Sequence, residues 1–218
     1  MEQIDPRILT EHPLLPDRAT SDGTHRRLLE EALLRFGERG YHGVSVREIA
    51  KAAGVQASSL YTHVESKEQV LFELMLLGHE EHHERLRSVL LESSADPAEQ
   101  IQRLVTAHVV FHATFPLLAR ICNRELAALG PENRGQVVAV RNQSEQLFID
   151  VIDRGVRLEV FNVPDAWLAT AAIAAMGLRV PEWWNDDLPF NIDEVAGAYR
   201  LFALRLLRDP SAGALPAG

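Results

Sequence analysis

Small and polar side chains cluster at Gln56, Ala57, Ser58, Ser59 and Thr62, spaced so that a short helix would turn them outward while Leu60 faces inward. Such a face suits the major groove of DNA, where bulky or acidic side chains would collide with base edges or phosphates. Tyr61, His63 and Lys67 follow where this helix would leave the groove, and Ser45 and Arg47 precede it. Their hydroxyl, imidazole, ammonium and guanidinium groups can donate hydrogen bonds to phosphate oxygens and fix register on the duplex.

Other reactive side chains are scattered. His79, His82 and His83 sit close together, and His108 with His112 forms an i, i+4 pair able to grip a metal from one helix face. No carboxylate or cysteine stands at an obvious ligand spacing, and surface or neutral core histidines account for the same pattern. Neither a metal site nor a cofactor is assigned. Cys122 is the only cysteine, which excludes an internal disulfide and leaves a buried thiol or a redox switch as its readings. A phosphate-cradling glycine loop, a His-Glu-x-x-His run and a nucleophile elbow are all missing, so the chain is not expected to be an enzyme. A metal- or redox-sensing regulator, or a helical-bundle enzyme, stands as the alternative.

The elements that must position these groups are helical, and no alternating run is long enough to propose a strand. Residues 1–23 contain three prolines and little periodicity, and are expected to form a loose arm. From Thr24, Leu28, Leu29, Ala32, Leu33 and Phe36 recur at helical spacing up to a stop at Gly40. Ser45 with Glu48 three residues on makes a capping box for a short helix whose inner face is Val46, Ile49 and Ala50. Gly54 supplies the turn into the outward-facing helix described first. Further helices are expected from Ser66 to about Leu91, Pro97 to about Thr114, Pro116 to near Gly130, and Pro131 to about Leu158. Asp165 to about Leu178 and Ile192 to Arg208 follow, with an irregular stretch over Pro181 to Asn191. The fold class is therefore all-α with about nine helices. The domains are an arm (1–23), a helix-turn-helix (24–68), a larger helical body (69–209) and a tail (210–218).

Apolar residues make up 46% and charged residues 24%, ordinary values for a globular chain. The longest apolar runs are too short to span a bilayer, and the acidic N-terminus has no signal-like pattern, so a cytoplasmic protein with no membrane partner is expected. Net charge is −9, yet residues 24–68 carry seven Lys and Arg against six Asp and Glu, while the rest carries fifteen against twenty-five. An acidic body would hold a phosphate backbone to one end of the molecule; random variation of a solvated surface gives the same numbers.

The N-terminal pattern resembles the TetR family of bacterial transcriptional regulators. Its signature stands here as Gly40-Tyr41, Ser45-Val46-Arg47-Glu48-Ile49-Ala50-Lys51-Ala52-Ala53-Gly54-Val55, Leu60-Tyr61-Thr62-His63-Val64 and Lys67-Glu68. Val64 departs from the family's usual Phe at a position another apolar side chain can fill. The resemblance implies a homodimer that reads a partly palindromic double-stranded operator, with the two reading helices one turn of duplex apart, ~34–36 Å. It also implies an effector pocket in the body and dimerisation through the last two helices. The first of these is rich in alanine, and the second presents Val195, Tyr199, Phe202, Ala203 and Leu206.

Phe111, Phe115, Leu118, Ile121, Cys122, Phe148 and Trp183 either line an apolar cavity or are ordinary core. Asn123, Arg124, Arg134 and Arg141 place polar groups on helices that should otherwise pack, either as solvated salt bridges or as anchors for a ligand. This part resembles the TetR regulators of fatty-acid and steroid catabolism, in which arginines at the pocket mouth hold the phosphates of an acyl-CoA thioester. The ligand-binding candidates are therefore Phe111, Phe115, Leu118, Cys122, Asn123, Arg124, Arg141, Phe148 and Trp183. The function implied is a repressor released from its operator by a small apolar effector, an acyl-CoA among the candidates.

Overall fold

The computed structural model describes residues 12–19, 22–56 and 65–208. Among them the regular elements are α1 (Gly23–Arg39), α2 (Val46–Ala52), α3 (Lys67–Leu91), α4 (Pro97–Thr114), α5 (Pro116–Arg124), α6 (Pro131–Arg157), α7 (Ala166–Leu178), α8 (Val180–Trp183) and α9 (Ile192–Arg208). Short 3-10 turns cover Asp17–Ala19 and Leu126–Ala128. The protein is all-helical, and no described helix alone is long and apolar enough to cross a membrane. Two compact units are present: the described residues up to Glu81 with Thr114–Val140, and His82–Ala113 with the described residues from Arg141 onward.

In the first unit the Asp22 carboxylate accepts the Thr24 N–H at 2.9 Å and so starts α1. Leu28, Leu29, Ala32, Leu33 and Phe36 are buried on one face, which packs on α2 and α5. Each such leucine or phenylalanine contributes about 1.5–3 kcal/mol by leaving water. Gly40 ends the helix with φ +72° and gives its N–H to the Phe36 carbonyl at 2.9 Å. Just beyond it, Gly43 lies so close that a Cβ there would meet the Arg39 carbonyl oxygen at 2.5 Å.

Part of the segment expected to be a loose arm is docked. Leu15 is buried, Arg26 donates to the Leu15 and Pro16 carbonyls, and Arg18 pairs with Glu80 at 2.8 Å. One buried leucine and polar contacts to α1 and α3 hold residues 12–19 in place, none of them visible in local composition.

The Ser66 hydroxyl accepts the Gln69 N–H at 3.0 Å and starts α3 as expected. The helix from Pro116 was expected to reach Gly130 but stops at Arg124. Leu129 turns into the core there, and Arg134 donates to the Ala127 and Leu129 carbonyls, closing a tight turn that a continued helix could not make.

In the second unit, Leu86, Ile101, Leu104, Val109, Phe148, Ile152, Ile173 and Leu207 form the centre of an apolar core. The Asp165 carboxylate starts α7 by accepting the Leu168 N–H at 2.8 Å. Two glycines permit close contacts: a Cβ at Gly155 would lie 2.0 Å from the Phe161 ring, and one at Gly177 would lie 2.0 Å from the His108 ring. The stretch over Pro181 to Asn191 is irregular as expected except at its start, where Val180–Trp183 forms one helical turn, closed by the Trp184 N–H donating to Val180.

Candidate nucleic-acid interface

The short helix α2 is held at both ends. At its start the Ser45 hydroxyl accepts the Glu48 N–H at 3.3 Å, while Glu48 accepts from the Ser45 N–H at 2.7 Å and from its hydroxyl at 2.7 Å. Arg39 at the end of α1 adds a donor at 2.9 Å. The Ser45 hydroxyl first, then Arg39, hold the Glu48 carboxyl well below the usual range, at about 2.

At its end the Val55 N–H reaches the Ala50 carbonyl at 2.9 Å and the Gly54 N–H reaches Lys51 at 3.3 Å, the paired bonds of a Schellman stop. Gly54 takes φ +71°, a conformation that costs little only without a Cβ. Ile49, Ala50 and Ala53 are buried, so the helix has one inner face. Ser45, Arg47 and Lys51 are exposed, as is Gln56 beyond the glycine turn. Of the residues expected at DNA, Ala57, Ser58, Ser59, Tyr61, Thr62 and His63 lie outside the described residues.

Lys67 is placed differently from the phosphate-facing position expected of it. Its ammonium donates to the Tyr41 carbonyl at 3.0 Å and the Val44 carbonyl at 2.9 Å, and sits 4.2 Å from the centre of the Tyr41 ring. These contacts hold the α1–α2 connection rather than reaching outward. The neighbouring Glu68 carboxylate accepts from the Gly130 N–H at 2.8 Å and the Asn133 amide at 3.0 Å, which lowers its pKa. The Tyr41 N–H points to Glu125 at 3.5 Å. The start of α3 and the α5–α6 turn are thus tied to the same small unit as α2.

The nine expected ligand residues fall into two groups. Phe115, Leu118 and Cys122 are buried in the first unit, where a Cβ on Gly78 would come within 2.5 Å of the Cys122 sulfur, and Asn123 and Arg124 are exposed. Burial pushes the Cys122 thiol up to about 12, so it holds its proton and makes a poor redox switch.

Phe111 and Phe148 are buried in the second unit, Arg141 is exposed, and Trp183 is 40% exposed. The two phenylalanines flank a group of histidines absent from the expected set. The Phe111 ring lies 5.0 Å from His82, and the Phe148 ring 6.1 Å from His108. Burial pushes His108 down to about 4, so it is neutral. An open groove of about 610 Å³ in the same unit is lined by Arg85, Arg103 and Arg200 with Glu99, Thr106 and Val110. No sequence signal singled out these arginines, because they come from three different helices.

Residues 28–74 match the pattern described as "Bacterial regulatory proteins, tetR family", and residues 94–207 match "Tetracyclin repressor-like, C-terminal domain". The chain belongs to the TetR family. It is a DNA-binding transcription regulator with a helix-turn-helix, not an enzyme. A similar TetR relative is the HTH-type transcriptional repressor KstR2 of Mycobacterium tuberculosis, 32% identical over 192 residues, covering 86% of this chain and 96% of the relative. Among solved TetR structures, PfmR of Thermus thermophilus has a TM-score of 0.74 at 34% identity, over 82% of this chain and 97% of that one. AibR, solved in complex with isovaleryl coenzyme A and operator DNA, has a TM-score of 0.75 at 22% identity, over 86% of this chain and 99% of that one.

Proposed function

We propose that this TetR regulator is a cytoplasmic repressor that binds a partly palindromic operator as a homodimer and leaves it when an acyl-CoA thioester binds. The observation that carries the DNA part is the doubly capped helix α2, with Ser45, Arg47 and Gln56 exposed beside a rigid glycine turn. In this reading residues 24–68 face the operator, with Gln56 to Ser59 and Thr62 at base edges and Arg47, Tyr61 and His63 at phosphates. Residues 69–209 serve the effector and the partner subunit.

The homodimer is supported by an apolar face on α7 and α9. Trp167 and Leu168 are 54% and 44% exposed, beside Ala171, Ala172 and Ala175, while Leu201 and Phe202 are 55% and 49% exposed. An exposed patch of this kind is uncommon on a monomer. Val195 and Ala203, expected on this face, are buried within the chain, and Leu201 takes their place at the surface.

The effector class is supported by AibR, whose structure holds isovaleryl coenzyme A. In this chain Arg85, Arg103 and Arg200 line the second unit's groove, with Arg103 paired to Glu99 at 2.8 Å, and the arginine fork suits phosphates. The switch would act through the first unit, where α5 packs on α1 and Glu68 holds the α5–α6 turn. A displaced α5 would carry the reading head with it.

The test is fluorescence anisotropy with a labelled duplex from the chain's own promoter, titrated with acyl-CoAs of different chain length and ring content. Release at micromolar acyl-CoA, with no effect of free CoA or the free acid, is expected. Unchanged DNA binding with every thioester would remove the effector assignment and leave the DNA assignment standing.

A further inference from the structure

Three imidazoles meet in the second unit: His82 from α3, and His108 and His112 from successive turns of α4. Their ring centres are 5.1, 4.5 and 5.6 Å apart. One nitrogen from each ring lies within 4.8 Å of the others. His108 and His112 are buried and His82 is partly so.

Backbone carbonyls dictate which nitrogens accept. His108 Nε2 lies 2.9 Å from the Ala174 carbonyl oxygen, which can only accept, so the proton of this neutral ring is on Nε2. Its Nδ1 therefore carries a lone pair and accepts from His82 Nε2–H at 2.9 Å, so His82 would bind an ion in its other tautomer, with its proton moved to Nδ1. His112 Nδ1 lies 2.8 Å from the His108 carbonyl oxygen, so in the neutral ring Nε2 carries the lone pair. The tautomers of both α4 histidines are thus preset by these carbonyls. A metal-binding histidine is held in the same way, its second nitrogen donating to a carbonyl or carboxylate that orients the ring. Gly177 lets α7 press against the His108 ring and fixes it from behind.

We propose that His82, His108 and His112 form a three-histidine site for a divalent transition-metal ion of the zinc class, with the fourth position open to an external ligand. Nitrogens at ~2.0–2.1 Å from a tetrahedral zinc lie about 3.3 Å apart. The observed 2.9 Å pair and the 4.8 Å limit for all three bracket that spacing. Three imidazole donors select zinc, copper, nickel or cobalt over the oxygen-seeking magnesium and calcium. Neutral donors leave the full dipositive charge on the ion, which favours an anionic or thiolate fourth ligand. The site joins α3 to α4 and stands on geometry independent of the operator and the acyl-CoA.

The experiment uses the full chain, free of any affinity tag and stripped with chelator, titrated with Zn²⁺ by calorimetry and with Co²⁺ by visible absorption. One ion per chain and the intense absorption of four-coordinate Co²⁺ are expected. In His82→Gln the side-chain amide can still donate to His108 Nδ1, so the fold is kept, as circular dichroism would verify. Affinity should fall in it by more than about a hundredfold, beyond what loss of an outer hydrogen bond costs. His112→Gln should behave alike, and His83→Gln, whose ring meets Ser144 instead, should bind as the parent does. Absence of binding at millimolar Zn²⁺, or equal binding by parent, His82→Gln and His112→Gln, would overturn the site and leave the cluster as a packing network.

Discussion

Replacing Gly177 by alanine opposes two effects of known sign. Within a helix, glycine to alanine gains up to about 1 kcal/mol from backbone propensity. At this position the new methyl would lie 2.0 Å from His108 Cδ2 and 2.3 Å from its Nε2. Either α7 backs away or the ring turns, and in both cases the bond from His108 to the Ala174 carbonyl is strained or lost. Overpacking of a tight core costs about 1–3 kcal/mol, and a buried polar group left without its partner about 1–3 kcal/mol more. The net expectation is a loss of roughly 1–5 kcal/mol. For a chain of this size that is a fall in Tm of roughly 2–4 °C per kcal/mol. Gly135, exposed on α6 with nothing within 4 Å of where a methyl group would stand, is the matched control, and alanine there should raise Tm slightly. Differential scanning calorimetry of both variants gives the comparison. If Gly177→Ala were as stable as Gly135→Ala, the close seating of His108 against α7 would be wrong.

Lys67→Met should lower stability by about 1–3 kcal/mol, because two carbonyls lose a charged donor. It should weaken binding to all duplexes while leaving the salt dependence of binding unchanged; a slope reduced by about one would mark a phosphate contact instead. Glu48 has its folded pKa below the ordinary value of 4.5, at about 2, so its contribution is present above pH 4.5 and is lost as the pH falls toward 2. A carboxyl carbon NMR titration should show that low midpoint and its return toward the ordinary value in Ser45→Ala. Leu201→Asp should convert the proposed dimer to the 24.3 kDa monomer in light scattering while circular dichroism stays helical, because Leu201 is exposed within the chain. A dimer that persists would move the interface elsewhere.

Helix starts and stops were legible because their causes are local. Ser45 with Glu48, Ser66, Asp165, Gly40 and Gly54 each act within a few residues of where they stand. What the sequence did not disclose comes from contacts far apart in the chain. Arg18 reaches Glu80, Glu68 receives the Gly130 N–H, and Lys67 turns back to Tyr41 and Val44. The spacing of His108 and His112 marked a pair of candidate metal ligands, but the third nitrogen arrives from His82 on another helix.

The most direct measurement is binding of the full chain to duplexes tiled across its own promoter, by anisotropy at fixed physiological salt. One short, partly palindromic segment should bind two chains per duplex, roughly 10³-fold or more tighter than unrelated DNA. Gln56→Ala should change which base pairs matter at the half-site. Equal affinity for every duplex, or a specific complex of one chain, would contradict the account.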